Sequence, residues 1–305
     1  MLNQAPPPPR EMTPRLVDLG SSSPDRIFDV RNHSLLKSSQ RTPMSIIDRH
    51  YHLLRRLHSL SGVFPVGLFL LPHLTTNSSI VWGRLLGKSE YGDAGVETFQ
   101  HEVDFIHSLP ALEIIEWTVL FGPIAFHATL GVIFARSGKS NVDRYGWNGS
   151  WRYALQRMTG YLAVAFIFLH ITSLRFGWTY LGLMPKFDTH HAASSLAVHF
   201  QQGETGLLLA GFYLVCVLAI VFHFANGLWS AAITWGLTVS RASQARWGYA
   251  CAALGMGLST MAVAAIAGYS TLDVEAAQQI EDKMNQASES VSILPVDPPL
   301  RGASS

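Results

Sequence analysis

Charge is scarce in this chain. Asp, Glu, Lys and Arg make up 14% of its 305 residues, against about a quarter in ordinary soluble domains. That shortfall points into a membrane, and a net charge of +1 supplies no basic field for nucleic acid. Cysteine is nearly absent too: Cys216 and Cys251 both lie in apolar runs, which excludes a disulfide framework and a chain-borne iron–sulfur cluster. No apolar stretch follows the N-terminus, so a secretory signal is not expected. There is no glycine-rich flavin fingerprint. No carboxylate falls in the middle of an apolar segment and no inverted repeat is visible, which speaks against a His-lined metal or proton transporter.

Long apolar segments are what the chain does have. Five of them, near 58–82, 111–135, 153–178, 206–230 and 247–269, approach the ~20 residues that a bilayer requires. Only helices satisfy their backbone groups in hydrocarbon, so the expected fold is all-α, an integral membrane bundle of five transmembrane helices over 50–270. Trp82, Trp151, Trp178, Trp229 and Trp247 fall near the expected ends, as an aromatic belt requires. Proline-punctuated residues 1–49 and 271–305 read as a flexible N-terminal extension and a flexible C-terminal tail, the latter beginning with a short helix. The loop at 83–110 is expected to carry an interfacial helix ending at Pro110. Arg41, Arg49, Arg55 and Arg56 precede the first segment. Arg136, Lys139, Arg144 and Arg152 join the second to the third, and Arg241 and Arg246 the fourth to the fifth. The opposite loops hold only Arg84, Lys88, Arg175 and Lys186. The N-terminus is therefore expected in the cytoplasm and the C-terminus outside.

Histidine is the unusual residue. There are 13, and His73, His127, His170 and His223 each occupy a different apolar segment. An imidazole in hydrocarbon is costly and marks a functional site by default. At about 1.5 Å per residue, His73 and His170 lie ~22–25 Å from the inner ends of their segments. His127 and His223 lie only ~10–12 Å from the inner ends of theirs. Two pairs at two depths follow: His73 with His170 in an outer layer, His127 with His223 in an inner one. Two facing neutral imidazoles are the axial ligand set of a low-spin haem, so two haems b are expected, stacked along the bundle. Gly131 and Gly227, each four residues after an inner histidine, share its helix face and leave room for a flat ring. Pro123 is expected to kink the second segment. His58 stands at the inner surface in Arg55-Arg56-Leu57-His58-Ser59, among donors suited to haem propionates. Glu113 and Glu116 open the second segment on the outer side, where a carboxylate relays protons to a quinone or is a solvated helix-start acid.

Five motifs in order carry a resemblance: Arg56-Leu57-His58-Ser59-Leu60, Asp104-Phe105-Ile106-His107-Ser108-Leu109-Pro110, Gln156-Arg157-Met158-Thr159-Gly160, His223-Phe224-Ala225-Asn226-Gly227-Leu228-Trp229-Ser230 and Thr234-Trp235-Gly236-Leu237-Thr238-Val239. Over about residues 50–269 the chain resembles the cytochrome b558 anchor subunits of succinate dehydrogenase, the five-helix, two-haem type of Bacillus-like enzymes. The resemblance implies a non-catalytic subunit anchoring a flavoprotein subunit with FAD and an iron–sulfur subunit on the cytoplasmic face. It implies electron flow from succinate through the partners' clusters to the inner haem, the outer haem and a quinone, usually menaquinone. Such transfer responds to membrane potential by ~2.3 kcal/mol per charge per 100 mV. The four family ligands fall on His73, His127, His170 and His223. His58 and Ser59 match positions near the inner propionates; Arg157 is a bidentate partner for the same carboxylates, and Trp229 an indole donor to them or a belt residue. Some fumarate reductase relatives carry a glutamate two residues before the inner ligand on the fourth segment, where this chain has Val221. Two-haem anchors of hydrogenase or formate dehydrogenase share the helix count and the histidine logic but not these motifs.

Overall fold

The computed structural model describes residues 49–137, 148–184 and 186–293, and among them there is no strand. In chain order the helices are α1 (Tyr51–Leu86), α2 (Ala94–His107), α3 (Leu112–Arg136), α4 (Asn148–Leu174), α5 (Ala192–Gln201), α6 (Gly203–Thr234), α7 (Arg241–Ser270) and α8 (Val274–Ile293). Five of them, α1, α3, α4, α6 and α7, are long and apolar enough to cross a membrane. They coincide with the five expected segments, except that the third ends early: the chain turns away after Leu174, with Gly177 at φ +68°. Of the extension expected over 1–49, all but Arg49 lies outside the described residues, as do Lys139 and Arg144. Below, inner and outer ends follow the orientation expected from Lys and Arg.

Helices α1, α3, α4 and α6 form a four-helix bundle, with α7 laid against α1 and α6. Lipid gives no hydrophobic drive between helices, so close approach depends on small residues. A Cβ on Gly268 of α7 would lie 2.5 Å from Ile80, and one on Gly255 would lie 3.1 Å from Ala225. In the same way Gly67 of α1 admits the ring of Phe224, next to His223 on α6.

Two spans are locally widened. In α1, Gly62–Gly67 forms a π-turn around Pro65, and in α3, Glu116–Phe121 forms another just before Gly122-Pro123. A proline ring clashes with the carbonyl four residues back and offers no N–H. Next to Pro123 the wider turn is seen directly: Gly122 donates its N–H to the carbonyl of Trp117, five residues back. The expected kink at Pro123 thus takes the form of a π-turn.

The outer end carries a cap. Helix α2 fills the loop expected to hold an interfacial helix; Asp93 caps it by accepting from the N–H groups of Gly95 and Val96. The expected flexible tail, with at most a short helix, needs correction over Val274–Ile293, which is a 20-residue helix. Ala277, Ile280, Glu281 and Met284 are buried at helical spacing against the cap. Glu281, fully buried, accepts from the N–H groups of Ala193 (2.7 Å) and Ser194 (3.2 Å) and pairs with the Ser194 hydroxyl at 2.5 Å. This places a carboxylate on the N-terminus of α5, where the helix dipole favours it. His191 bridges the cap to α8, with Nδ1 3.1 Å from Asp188 and Nε2 2.9 Å from Asp282.

The docking of α8 should therefore depend on pH. The hydrogen bond to Asp282, then that to Asp188, raises His191 above its ordinary 6.5, and burial raises Glu281 above 4.5. Burial pushes Asp188 up, but the His190 N–H and the His191 ring outweigh it and hold that carboxylate low. Groups raised on folding stabilise below their ordinary values and lose that contribution as pH rises through the raised ones. Hydrogen-exchange protection of α8, taken relative to the intrinsic exchange rate at each pH, should accordingly fall as pH rises above the ordinary histidine value of 6.5, and a His191→Gln variant should flatten the profile. Glu281→Ala orphans two buried N–H groups and should loosen α8 by about 1–3 kcal/mol.

Candidate haem-binding core

The bundle brings the four intramembrane histidines together in two pairs. His73 of α1 and His170 of α4 have ring centroids 5.8 Å apart, with planes at 86°. His127 of α3 and His223 of α6 have centroids 6.1 Å apart, with planes at 90°. Two imidazoles sharing one metal, at nitrogen–metal bonds near 2 Å, have centroids about 6 Å apart. Both pairs fall at that distance. Among the described residues no group of three His, Cys, Asp or Glu side chains converges on a metal position. The core thus offers two-nitrogen donor sets, which suit an axial pair whose equatorial ligands come from a macrocycle.

Hydrogen bonding decides which nitrogen is offered. His127 Nδ1 lies 2.8 Å from the carbonyl of His58, and His223 Nδ1 lies 3.0 Å from the carbonyl of Gln156. A carbonyl only accepts, so Nδ1 carries the proton in both rings and Nε2 keeps its lone pair as a ligand. The outer pair is held differently. His170 Nδ1 is buried without a hydrogen-bond partner among the described residues, and its ring stacks on Phe166 at 5.5 Å, as His73 does on Phe69 at 5.1 Å.

Glycines shape the inner layer from across the helix interfaces. A Cβ on Gly62 would lie 2.3 Å from Cε1 of His127, and one on Gly160 would lie 2.9 Å from Cε1 of His223. Gly131 and Gly227, expected to make room beside their own histidines, instead face the neighbouring helix: Gly131 lies under His58, and Gly227 under the amide of Gln156. Gly62 and Gly160 escape a reading along one helix because each serves a histidine on another.

At the inner end, His58 stacks on His127 with centroids 4.0 Å apart, and its Nδ1 donates to the His127 carbonyl at 3.1 Å. Ser59 donates to the Arg56 carbonyl and accepts from the Trp235 indole at 2.8 Å. Arg157 donates to the Ala135 carbonyl, tying α4 to α3. The Trp229 indole N–H donates to the Gln244 carbonyl at 3.0 Å, joining α6 to α7, while Arg152 lies 4.0 Å over its ring. A polar chain absent from the sequence reading runs beside His223. Arg152 donates to Asn226 (3.0 Å), Asn226 to the side-chain oxygen of Gln156 (2.7 Å), and the Gln156 amide to the His223 carbonyl (3.1 Å). Its signal lay in motif residues whose partners are known only once α4 and α6 are side by side.

At the outer end, Glu116 is ion-paired with Arg175 at 2.9 Å, while Glu113 is exposed with the same guanidinium 4.0 Å away. The pairing supplies Glu116 with a partner that a one-helix reading could not. Val221 packs in an apolar cluster with Leu74, Leu258 and Ala262.

No family model matches the chain. It is similar to the succinate dehydrogenase cytochrome b558 subunit of Bacillus subtilis (strain 168), with 37% identity over 191 residues, which is 62% of this chain and 83% of that relative.

Alanine at Gly62 or Gly160 should displace the adjoining inner imidazole. Overpacking of this kind costs about 1–3 kcal/mol. The optical difference spectrum of the purified protein should lose or shift one component and keep the other, since neither glycine touches the outer pair.

Proposed function

The chain belongs to the succinate dehydrogenase cytochrome b558 subunits, and from that membership we propose that it is a two-haem electron-transfer anchor between the partner catalytic subunits and a quinone. A multi-pass membrane subunit of the bacterial cytoplasmic membrane with haem b is what the family implies. The observation that carries the two-haem reading is the pair of imidazole pairs, each at the centroid spacing that one metal requires. When bound, the two haems supply one-electron transfer across the bundle.

The chain's own residues do the rest. His127 and His223 would hold the inner macrocycle, and His73 with His170 the outer one. Spacing the pairs along the four-helix core keeps both in a water-poor interior, where rigid helices fix the ligands. At the inner end Arg55, Arg56, Arg152, Arg241 and Arg246 give a basic surface for the iron–sulfur subunit, with the flavoprotein beyond it. By family resemblance Arg157 would be the cation for an inner propionate, with His58 and Ser59 as its neighbours there. Succinate chemistry belongs to the flavoprotein, since this chain has neither a flavin fingerprint nor cysteine clusters. At the outer end the quinone, menaquinone by family type, would be reduced near His73 and His170, with Glu113 and Glu116, held beside Arg175, exchanging its protons. Val221 in its apolar cluster supports a bundle without a carboxylate beside the inner ligand.

Haem extracted from the complex and counted against this chain should give two b-type haems. His73→Ala should remove the outer one and His223→Ala the inner one, each leaving one haem per chain. A complex without haem, or a His73→Ala variant that keeps both, would refute the assignment.

A further inference from the structure

The histidine-bearing helices contain a repeat that neither half shows alone. On α1, His58 is followed four residues later by Gly62, and on α3, His127 by Gly131. Each of these histidines donates Nδ1–H to the other's backbone carbonyl, at 3.1 and 2.8 Å. Each also lies over the other helix's glycine, with Cε1 3.1 Å or less from where a Cβ would stand. Helices α4 and α6 repeat the device. Gln156 is followed four residues later by Gly160, and His223 by Gly227. The Gln156 amide donates to the His223 carbonyl at 3.1 Å, and His223 Nδ1 donates to the Gln156 carbonyl at 3.0 Å. His223 covers Gly160, and the Gln156 amide nitrogen covers Gly227.

The correspondence extends to the outer layer. His73 lies 15 residues after His58, and His170 lies 14 after Gln156. The extra residue on α1 falls in a stretch containing the π-turn Gly62–Gly67, whereas α4 is a regular helix throughout. A π-turn takes up an added residue without rotating the rest of the helix out of register. So α1 matches α4, α3 matches α6, and His58 occupies the place of Gln156.

We propose that His58 and Gln156 are equivalent positioning residues. Each grips the inner histidine opposite it in a reciprocal pair of hydrogen bonds over two glycines, fixing that ring's tautomer and leaving Nε2 to bind iron. The proposal rests on the two-haem reading above. It gives His58 a task directed at His127 rather than at a propionate, and it gives the buried amide of Gln156 a function. The Arg152–Asn226–Gln156 chain then holds that amide in orientation, since the Gln156 oxygen accepts from Asn226.

The repeat supplies its own test by exchange. In the complete complex, His58→Ala and Gln156→Ala should each lower the haem-to-chain ratio from two towards one, or shift the inner haem's EPR signal and potential. The inner component is identified as the one that His223→Ala abolishes. His58→Gln and Gln156→His, which install the residue of the other half, should keep two haems and the inner signal close to the parent. Should an alanine variant lose both haems, retention of both by its exchange variant still supports the clasp. Alanine variants with two haems and an unaltered inner signal would overturn it, as would exchange variants that behave like the alanine ones. A parent complex lacking two haems would instead defeat the function proposed above, a separate outcome.

Discussion

The hydrogen bond from an inner histidine's Nδ1 to a backbone carbonyl on the neighbouring span is the interaction on which the site depends. In hydrocarbon an imidazole N–H without an acceptor is costly, and helical carbonyls are already committed to their own ladder. His127 and His223 find acceptors across the helix interface, at His58 and Gln156. A backbone carbonyl can approach a ring so closely only where the adjoining residues are small. Hence glycine stands under each ring, and hence the spans pack as they do. Tautomer, ring placement and helix contact are one arrangement.

That arrangement treats the two layers unequally. The inner imidazoles are fixed by hydrogen bonds from their Nδ1 atoms, whereas His170 Nδ1 has no such partner among the described residues and its ring is held by Phe166. A donor bond at Nδ1 makes an imidazole a stronger ligand to oxidised metal. The outer layer sits instead beneath a cap built from α2, α5 and α8, anchored by the buried Glu281. One end of the bundle carries exposed arginines, among them Arg55, Arg152 and Arg241, and the other is covered by its own helices.

Much of the fold could be read from the chain because the bilayer imposes simple rules. Spanning length revealed five helices, and a fixed rise per residue sorted four histidines into the pairs that the structure brings together. What could not be read depends on neighbours. Gly62, Gly160, Asn226 and Gln156 matter through side chains on other helices, and a single sequence does not say which helix adjoins which. The partner of the Trp229 indole, the Gln244 carbonyl, likewise lies on a neighbouring helix. Helix α8 was missed for another reason. Its buried stripe of Ala277, Ile280, Glu281 and Met284 includes a carboxylate, so the apolar pattern was incomplete and the polar tail was read as flexible. The repeat relating α1 and α3 to α4 and α6 was obscured by one added residue and by Gln156 standing where the other half has histidine.

The central claim is that two macrocycles are each held by a pair of nearly perpendicular imidazoles, at 86° and 90°. Low-temperature EPR of the oxidised complex tests it most directly, because perpendicular axial imidazoles give strongly anisotropic low-spin ferric signals and parallel ones give rhombic signals. The account predicts two separate low-spin signals of the strongly anisotropic kind, in equal amounts. A single signal, a dominant high-spin species, or two rhombic signals would contradict it.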